Sequence, residues 1–190
     1  EEFKAIEQKE FQDKRLQEAK DLFVFSCYTG LASLESYNLT PVCIIKGIDG
    51  EDWLSIRRIK TQESYKVPLL PQAASIIDKY KDDLSVLRNG KLLPTFCNQT
   101  LNNLLKEVAW RCGIEKNITF HIARHTFATI VTLTNGVPIE TVSKLLGHTS
   151  IKTTQIYARV VEQKVSSDVQ MLRERLNKKE EIQKNRFPAA

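Results

Sequence analysis

The sequence predicts an α+β protein that is mainly α, with one small three-stranded antiparallel sheet. Three observations carry that expectation. Apolar residues recur at three- and four-residue steps over long stretches, the period of a helix face packed on a core. Between residues 42 and 69 the period shortens to two and turn signals interrupt it, which marks strands joined by hairpins. After Pro71 the helical period returns and persists. At 190 residues, 42% hydrophobic and 27% charged, the chain suffices for one sizeable core and is too apolar for disorder. It contains no internal repeat or low-complexity tract.

The first helical face runs from Glu10 to Tyr28 through Leu16, Ala19, Phe23 and Cys27. Thr29-Gly30 ends it, because glycine readily turns left-handed after a helix. A short helix from Ser33 to Asn38 follows, with Ser33 as its cap and Glu35 favoured in its first turn. Val42 to Ile45 reads as a strand and Asp49-Gly50 as a hairpin turn. In the next strand, Trp53 to Ile59, the residues Trp53, Ser55, Arg57 and Ile59 face one way. Leu54, Ile56, Arg58 and Lys60 face the other. Lys60 to Glu63 turns the chain, and Tyr65 to Leu69 returns as the third strand.

Pro71 suits the first position of a helix reaching Tyr80. Asn98 can cap a helix whose face is Leu101, Leu104, Leu105, Val108 and Cys112, stopped by Gly113. Thr119 can cap one that runs to Leu133 and ends at Asn135-Gly136. Pro138 opens a short helix closing at Gly147, and Ser150 can cap the helix carrying Tyr157. From about Val160 to Lys184 the chain is charged and helix-prone. Its thin apolar stripe, Val165, Val169 and Leu172, suits docking on a partner, and a solvated tail is the alternative.

Lys and Arg outnumber Asp and Glu by 28 to 23, a net charge of +5 that fits a polyanion partner without requiring one. Cys27, Cys43, Cys97 and Cys112 form no C-x-x-C pair and, with three histidines, no zinc spacing. They read as free thiols buried in a reducing cytoplasm. No apolar run approaches the ~18–20 residues of a membrane-spanning helix, and no secretory leader is present. The expectation is a cytoplasmic protein without a membrane partner. The chain starts at Glu1 rather than methionine, which suggests a piece of something longer.

Candidate chemistry concentrates in the last third. His121 and Arg124 are three apart, so on a helix they offer an imidazole and a guanidinium to one ligand, a combination suited to phosphate. Taken alone, those five residues fit an incidental pair on a helix surface better. His148 follows Gly147 at a helix end, where histidine often serves terminal carbonyls. Nothing local marks Tyr157. Histidines clustered with arginine disfavour a metal cation, and no phosphate-binding glycine loop or serine-nucleophile elbow appears.

Taken together, the pieces carry more. Thr29-Gly30-Leu31, Lys60 at a strand turn, His121-x-x-Arg124, Leu146-Gly147-His148 and Tyr157 nine residues later occur in that order. The series resembles the catalytic domain of the tyrosine recombinases, the phage-integrase family, over roughly Asp21 to Arg159. The strings Phe-Ser-Cys-Tyr-Thr-Gly-Leu, His-x-x-Arg-His-Thr-Phe-Ala-Thr and Lys-Leu-Leu-Gly-His agree, with a flavour of conjugative-transposon and other mobile-element integrases. The resemblance implies that Tyr157 attacks a DNA phosphodiester and forms a 3′-phosphotyrosyl link. Arg124 and His148 would bind the non-bridging oxygens, with His121 assisting. Lys60 would protonate the departing 5′-oxygen. No metal or other cofactor is implied. It also implies double-stranded DNA as partner, separate N-terminal DNA-binding domains outside these residues, and a ring of four protomers joined through the C-terminal segment. The piece alone would be a monomer.

One position departs from the pattern. After Thr-Gly-Leu the family carries a second phosphate-clamping arginine, and here Ala32 stands there. A missing transition-state donor costs a factor of ~10²–10³. Either another side chain compensates, or the chain is a catalytically impaired DNA-binding relative, or the position was altered. Arg58 is the candidate substitute, since it shares a strand face with Lys60. Otherwise it is an exposed arginine touching flanking DNA or water. A type IB topoisomerase-like activity is the remaining alternative.

Overall fold

The computed structural model describes residues 1–58 and 64–158, together with 169, 170 and 173. Helix α1 (Glu2–Gln8) precedes the central helix α2 (Lys14–Thr29). Asp13 caps α2, its Oδ1 accepting from the backbone N–H groups of Arg15 and Leu16 at 2.8 and 3.1 Å. The helix ends at Gly30, which is left-handed at φ 72°. The predicted helix therefore starts four residues later than Glu10, because the Asp13 cap sets its beginning. Every residue from Leu16 to Cys27 is buried, since α1, α4, α6 and α7 all pack on α2.

Helix α3 (Ser33–Tyr37) begins with Ser33 inside the helix rather than capping it. Ala32 takes the cap position, and its N–H is satisfied by Glu35 Oε2 at 2.8 Å. A 3₁₀ turn at Pro41–Cys43 then delays the first strand, because proline at 41 favours a turn start. Strands β1 (Ile44–Lys46), β2 (Asp52–Arg57) and β3 (Ser64–Pro68) form an antiparallel sheet in the order β1-β2-β3. Leu54 pairs with Ile44 and Val67, and Ile56 pairs with Tyr65. Leu54, Ile56, Tyr65 and Val67 are buried, so this is the core face. Lys60 and its turn lie outside the described residues.

Helix α4 (Pro71–Tyr80) matches its expected span, and a five-residue helix α5 (Leu84–Arg88) follows behind an Asp83 cap. Helix α6 (Asn98–Arg111) is capped at Cys97, not Asn98, and buries Leu101, Leu105, Val108 and Ala109. Asn102 Oδ1 accepts from the Phe120 N–H at 2.8 Å, joining α6 to helix α7 (Phe120–Thr126). α7 does not continue regularly to Leu133. It widens into a π-helical stretch, Phe127–Thr132, and tightens to a 3₁₀ turn, Leu133–Asn135, before left-handed Gly136. Helices α8 (Ile139–Leu145) and α9 (Ile151–Ala158) complete the described core.

Two apolar clusters result. The larger gathers α1, α2, α4 to α7 and the sheet, and a smaller one joins Phe127, Ala128, Leu133, Val142, Leu146 and Tyr157. All four cysteines are free, but only Cys27 is buried, and Cys97 is exposed. Among the described residues no helix is long and apolar enough to cross a membrane. Of the predicted C-terminal stripe, Val165 and Leu172 lie outside the described residues and Val169 is exposed.

Candidate active site

The end of α2 and the end of α8 meet at Arg124. Its Nη1 donates to the carbonyl of Gly30 at 2.6 Å and its Nη2 donates to the carbonyl of Leu146. The guanidinium is thus locked between two loops that sequence strings 94 and 22 residues away supply. Close packing at this junction requires glycine. A Cβ at Gly30 would fall 2.5 Å from the Phe127 ring, and one at Gly147 would fall 2.6 Å from the Tyr65 ring. Both positions also have positive φ, 72° and 59°.

Arg58 reaches the same junction. It continues the buried side of β2 beyond Leu54 and Ile56, and its Nη2 donates to the Leu146 carbonyl at 3.2 Å. Arg57 is exposed on the other side. Glu35 lies between the two arginines, 3.7 Å from Arg58 Nε and 3.7 Å from Arg124 Nη1. Its Oε2 also accepts from the Tyr65 hydroxyl at 2.9 Å. Burial, followed by the charge of Glu35, raises the Tyr65 phenol well above its ordinary range. Because Glu35 stands three residues after Ala32 and binds the Ala32 N–H, Arg58 brings a guanidinium into the neighbourhood of the absent arginine.

A row of rings runs beside this pair of cations. His121 and His125 meet edge to face at 4.8 Å between centroids, His125 meets Tyr157 at 4.9 Å, and Tyr157 stacks with His148 at 6.5 Å. His121 and Arg124 do not present one shared face as expected. Arg124 turns inward, 5% exposed, while His121 stays exposed against His125. Three residues advance a helix by about 300°, so the two side chains diverge by about 60°. Burial, reinforced by Arg124 and Arg58, pushes the His148 imidazole down to about 4, so it is neutral at pH 7. Burial, His121 and Arg124 likewise lower His125. The Tyr157 ring is 4% exposed within the smaller apolar cluster.

Chemically, two guanidiniums face one carboxylate and the neutral His148 ring, which leaves a positive surplus suited to an anion. An open groove of about 490 Å³ adjoins it, lined by Ser64, Tyr65, Lys66, Lys144, Gly147 and His148. The structure thus gathers Arg124, Arg58, His148, His121 and Tyr157 in one region. Sequence reasoning missed His125, Glu35 and Tyr65. His125 stood beside Arg124 in the chain, Glu35 read only as a first-turn charge, and Tyr65 read only as the start of a strand.

The model of the phage integrase family matches residues 19–164, a span that includes every residue of this cluster. The chain belongs to the phage integrase family. It is 36% identical over 107 residues to the tyrosine recombinase XerD of Lacticaseibacillus casei, covering 51% of this chain and 36% of that protein. The fold matches the crystal structure of XerA recombinase with TM-score 0.72 and 26% identity, over 90% of this chain and 63% of that one. It also matches XerH site-specific recombinase bound to its palindromic difH substrate after cleavage, with TM-score 0.69 and 21% identity, over 90% of this chain and 50% of that one. The family accounts for the α+β fold with its three-stranded sheet and for the order of the sequence strings.

Proposed function

We propose that this chain is the catalytic domain of a site-specific DNA recombinase of the integrase type, cleaving and rejoining DNA through a 3′-phosphotyrosyl intermediate. One observation carries the reading: Arg124 and Arg58 converge on the Leu146 carbonyl beside a ring row that ends at Tyr157 and His148. A phosphodiester drawn into that surplus of positive charge lies next to a phenol. The Tyr157 oxygen attacks phosphorus, the bond to the 5′-oxygen breaks, and the phosphotyrosyl bond conserves the energy for rejoining. Arg124 and His148 hold the non-bridging oxygens as negative charge builds on them. Arg58 supplies the charge that Ala32 lacks, and Lys60 gives the leaving oxygen its proton. His125, backed by His121, takes up the proton that the Tyr157 phenol loses as it attacks. No step calls for a metal, since the guanidiniums carry the electrostatic work. Double-stranded DNA is the partner, and a C-terminal segment joins four protomers on it.

The test uses a pool of nicked duplexes with randomised cores, in which release of a short 5′-hydroxyl fragment traps the intermediate. The wild-type chain yields a denaturant-resistant protein–DNA adduct, and Tyr157→Phe yields none. Sequencing the trapped DNA defines a substrate for later assays. A chain that only shifts DNA in a salt-sensitive way, with no adduct, is the impaired binder that Ala32 raises, and the enzymatic reading then falls.

A further inference from the structure

Thr154 has no role in the chemistry above, yet it is fully buried and its Oγ1 lies 2.8 Å from Nδ1 of His148. It sits one turn before Tyr157 on α9, and both side chains are buried. The hydroxyls of Thr29, Thr129 and Thr132 bond back to the carbonyl four residues earlier. Among the described residues Thr154 instead meets an imidazole.

That contact decides what His148 can do. A neutral imidazole carries one proton, on Nδ1 or on Nε2. Nδ1 is occupied by Thr154, so Nε2 is the nitrogen left for a phosphate oxygen. Nε2 donates only if it holds the proton, and then Nδ1 must accept from the threonine hydroxyl. The opposite tautomer aims a lone pair at the phosphate oxygens and repels them. Burial and the two guanidiniums keep the ring neutral at pH 7, so no second proton relieves the choice.

We propose that Thr154 is a positioning residue whose hydroxyl donates to Nδ1 of His148, holds the histidine in its Nε2–H form and presents that N–H to the scissile phosphate. The same bond ties the nucleophile's helix to the histidine, so the donor and Tyr157 are placed together. The inference rests on His148 being a phosphate donor.

The first measurement needs no DNA. Nitrogen-15 spectra of the 190-residue chain carrying labelled histidine report the tautomer of each ring, with His148 assigned by its loss in His148→Gln. Wild type and Thr154→Ser are expected to hold Nε2–H, and Thr154→Val, which keeps the shape without the hydroxyl, to move to Nδ1–H or a mixture. On the trapped substrate, single-turnover cleavage by Thr154→Val falls about 10–10²-fold with DNA affinity unchanged, and Thr154→Ser restores it. An Nδ1–H ring in wild type overturns the inference even if Thr154→Val does not fold. So does a Thr154→Val that keeps both tautomer and rate. Should His148→Gln cleave as fast as wild type, the phosphate-donor reading itself fails, whatever the tautomer.

Discussion

Two clusters of buried charge touch helix α2, and they are finished in opposite ways. Near its middle, Asp21 pairs with Lys79 at 2.7 Å and Lys20 at 3.1 Å. It also accepts from the Tyr80 hydroxyl at 2.7 Å and the Gln17 amide at 3.0 Å. Both carboxylate oxygens are fully engaged. At the C-terminal end of the helix, Arg124 and Arg58 share Glu35 at a loose 3.7 Å and aim their closer bonds at neutral carbonyls. The first cluster is neutralised where it stands and holds α2 to α4. The second keeps positive charge that an external anion can satisfy. The closeness of the opposite charge, more than burial, separates scaffold from site.

The largest expected effects come from removing each hub. Arg124→Ala should lower the cleavage rate by at least ~10²–10³, because a transition-state donor is lost. Asp21→Asn should leave cleavage per folded molecule intact but cost about 1–3 kcal/mol of stability, since buried Lys20 keeps only the exposed Glu10 carboxylate at 3.2 Å. Urea unfolding and single-turnover cleavage measured on both variants make the check. If folded Asp21→Asn lost cleavage as Arg124→Ala does, the two clusters would not be separable.

A sharper contrast lies at the end of β2. Arg58→Ala should approach Arg124→Ala in severity, a loss of ~10²-fold or more, whereas Arg57→Ala should change the rate only a few-fold. The two residues are adjacent in sequence and differ only in which face of the strand they follow. Equal cleavage by Arg58→Ala and wild type would leave the Ala32 gap without a substitute.

That contrast was legible in the sequence because strand alternation is strict. Leu54 and Ile56 had to face the core, so Arg58 followed them and Arg57 did not. The glycine stops at 30, 136 and 147 were equally readable, since each has positive φ. Helices α1 and α5 were not. They span seven and five residues, too short to nucleate without tertiary support, and their apolar period is correspondingly faint. The π-helical widening after Thr126 leaves no trace in a pattern of apolar steps. For the site, the ordered strings named the ends of the network, but Glu35 to Arg124 and Tyr65 to Glu35 join residues 89 and 30 positions apart. Such contacts are made by the fold, so a linear reading saw Glu35 only as a favourable first-turn charge.

The smallest effect separates the clusters by pH. Asp21 is pulled below its ordinary 3.8: burial opposes this, but Lys79, Tyr80 and Lys20 together outweigh it. Below about pH 4 the unfolded chain takes up this proton before the folded one does, so the stability Asp21 provides is present above that pH and drains away as acid increases. His148 is also depressed, from 6.5 to about 4, by burial, Arg124 and Arg58. Its window is higher. Between pH 6.5 and 4 the unfolded imidazole is protonated while the folded one is not, so stability falls with pH there too. The charge state is reversed but the sign is the same, and only the windows differ. His148→Gln should therefore partly flatten the upper part of a stability–pH curve, to which His125 also contributes, and leave the lower part alone, while Asp21→Asn does the reverse. A single anion bound at the guanidinium pair should act like the first substitution and unlike the second, since it stabilises imidazolium in the folded state. Chemical denaturation at half-unit pH steps, with and without inorganic phosphate, reads all three. A His148 window indifferent to phosphate would mean that the positive surplus at Arg124 and Arg58 does not reach the ring.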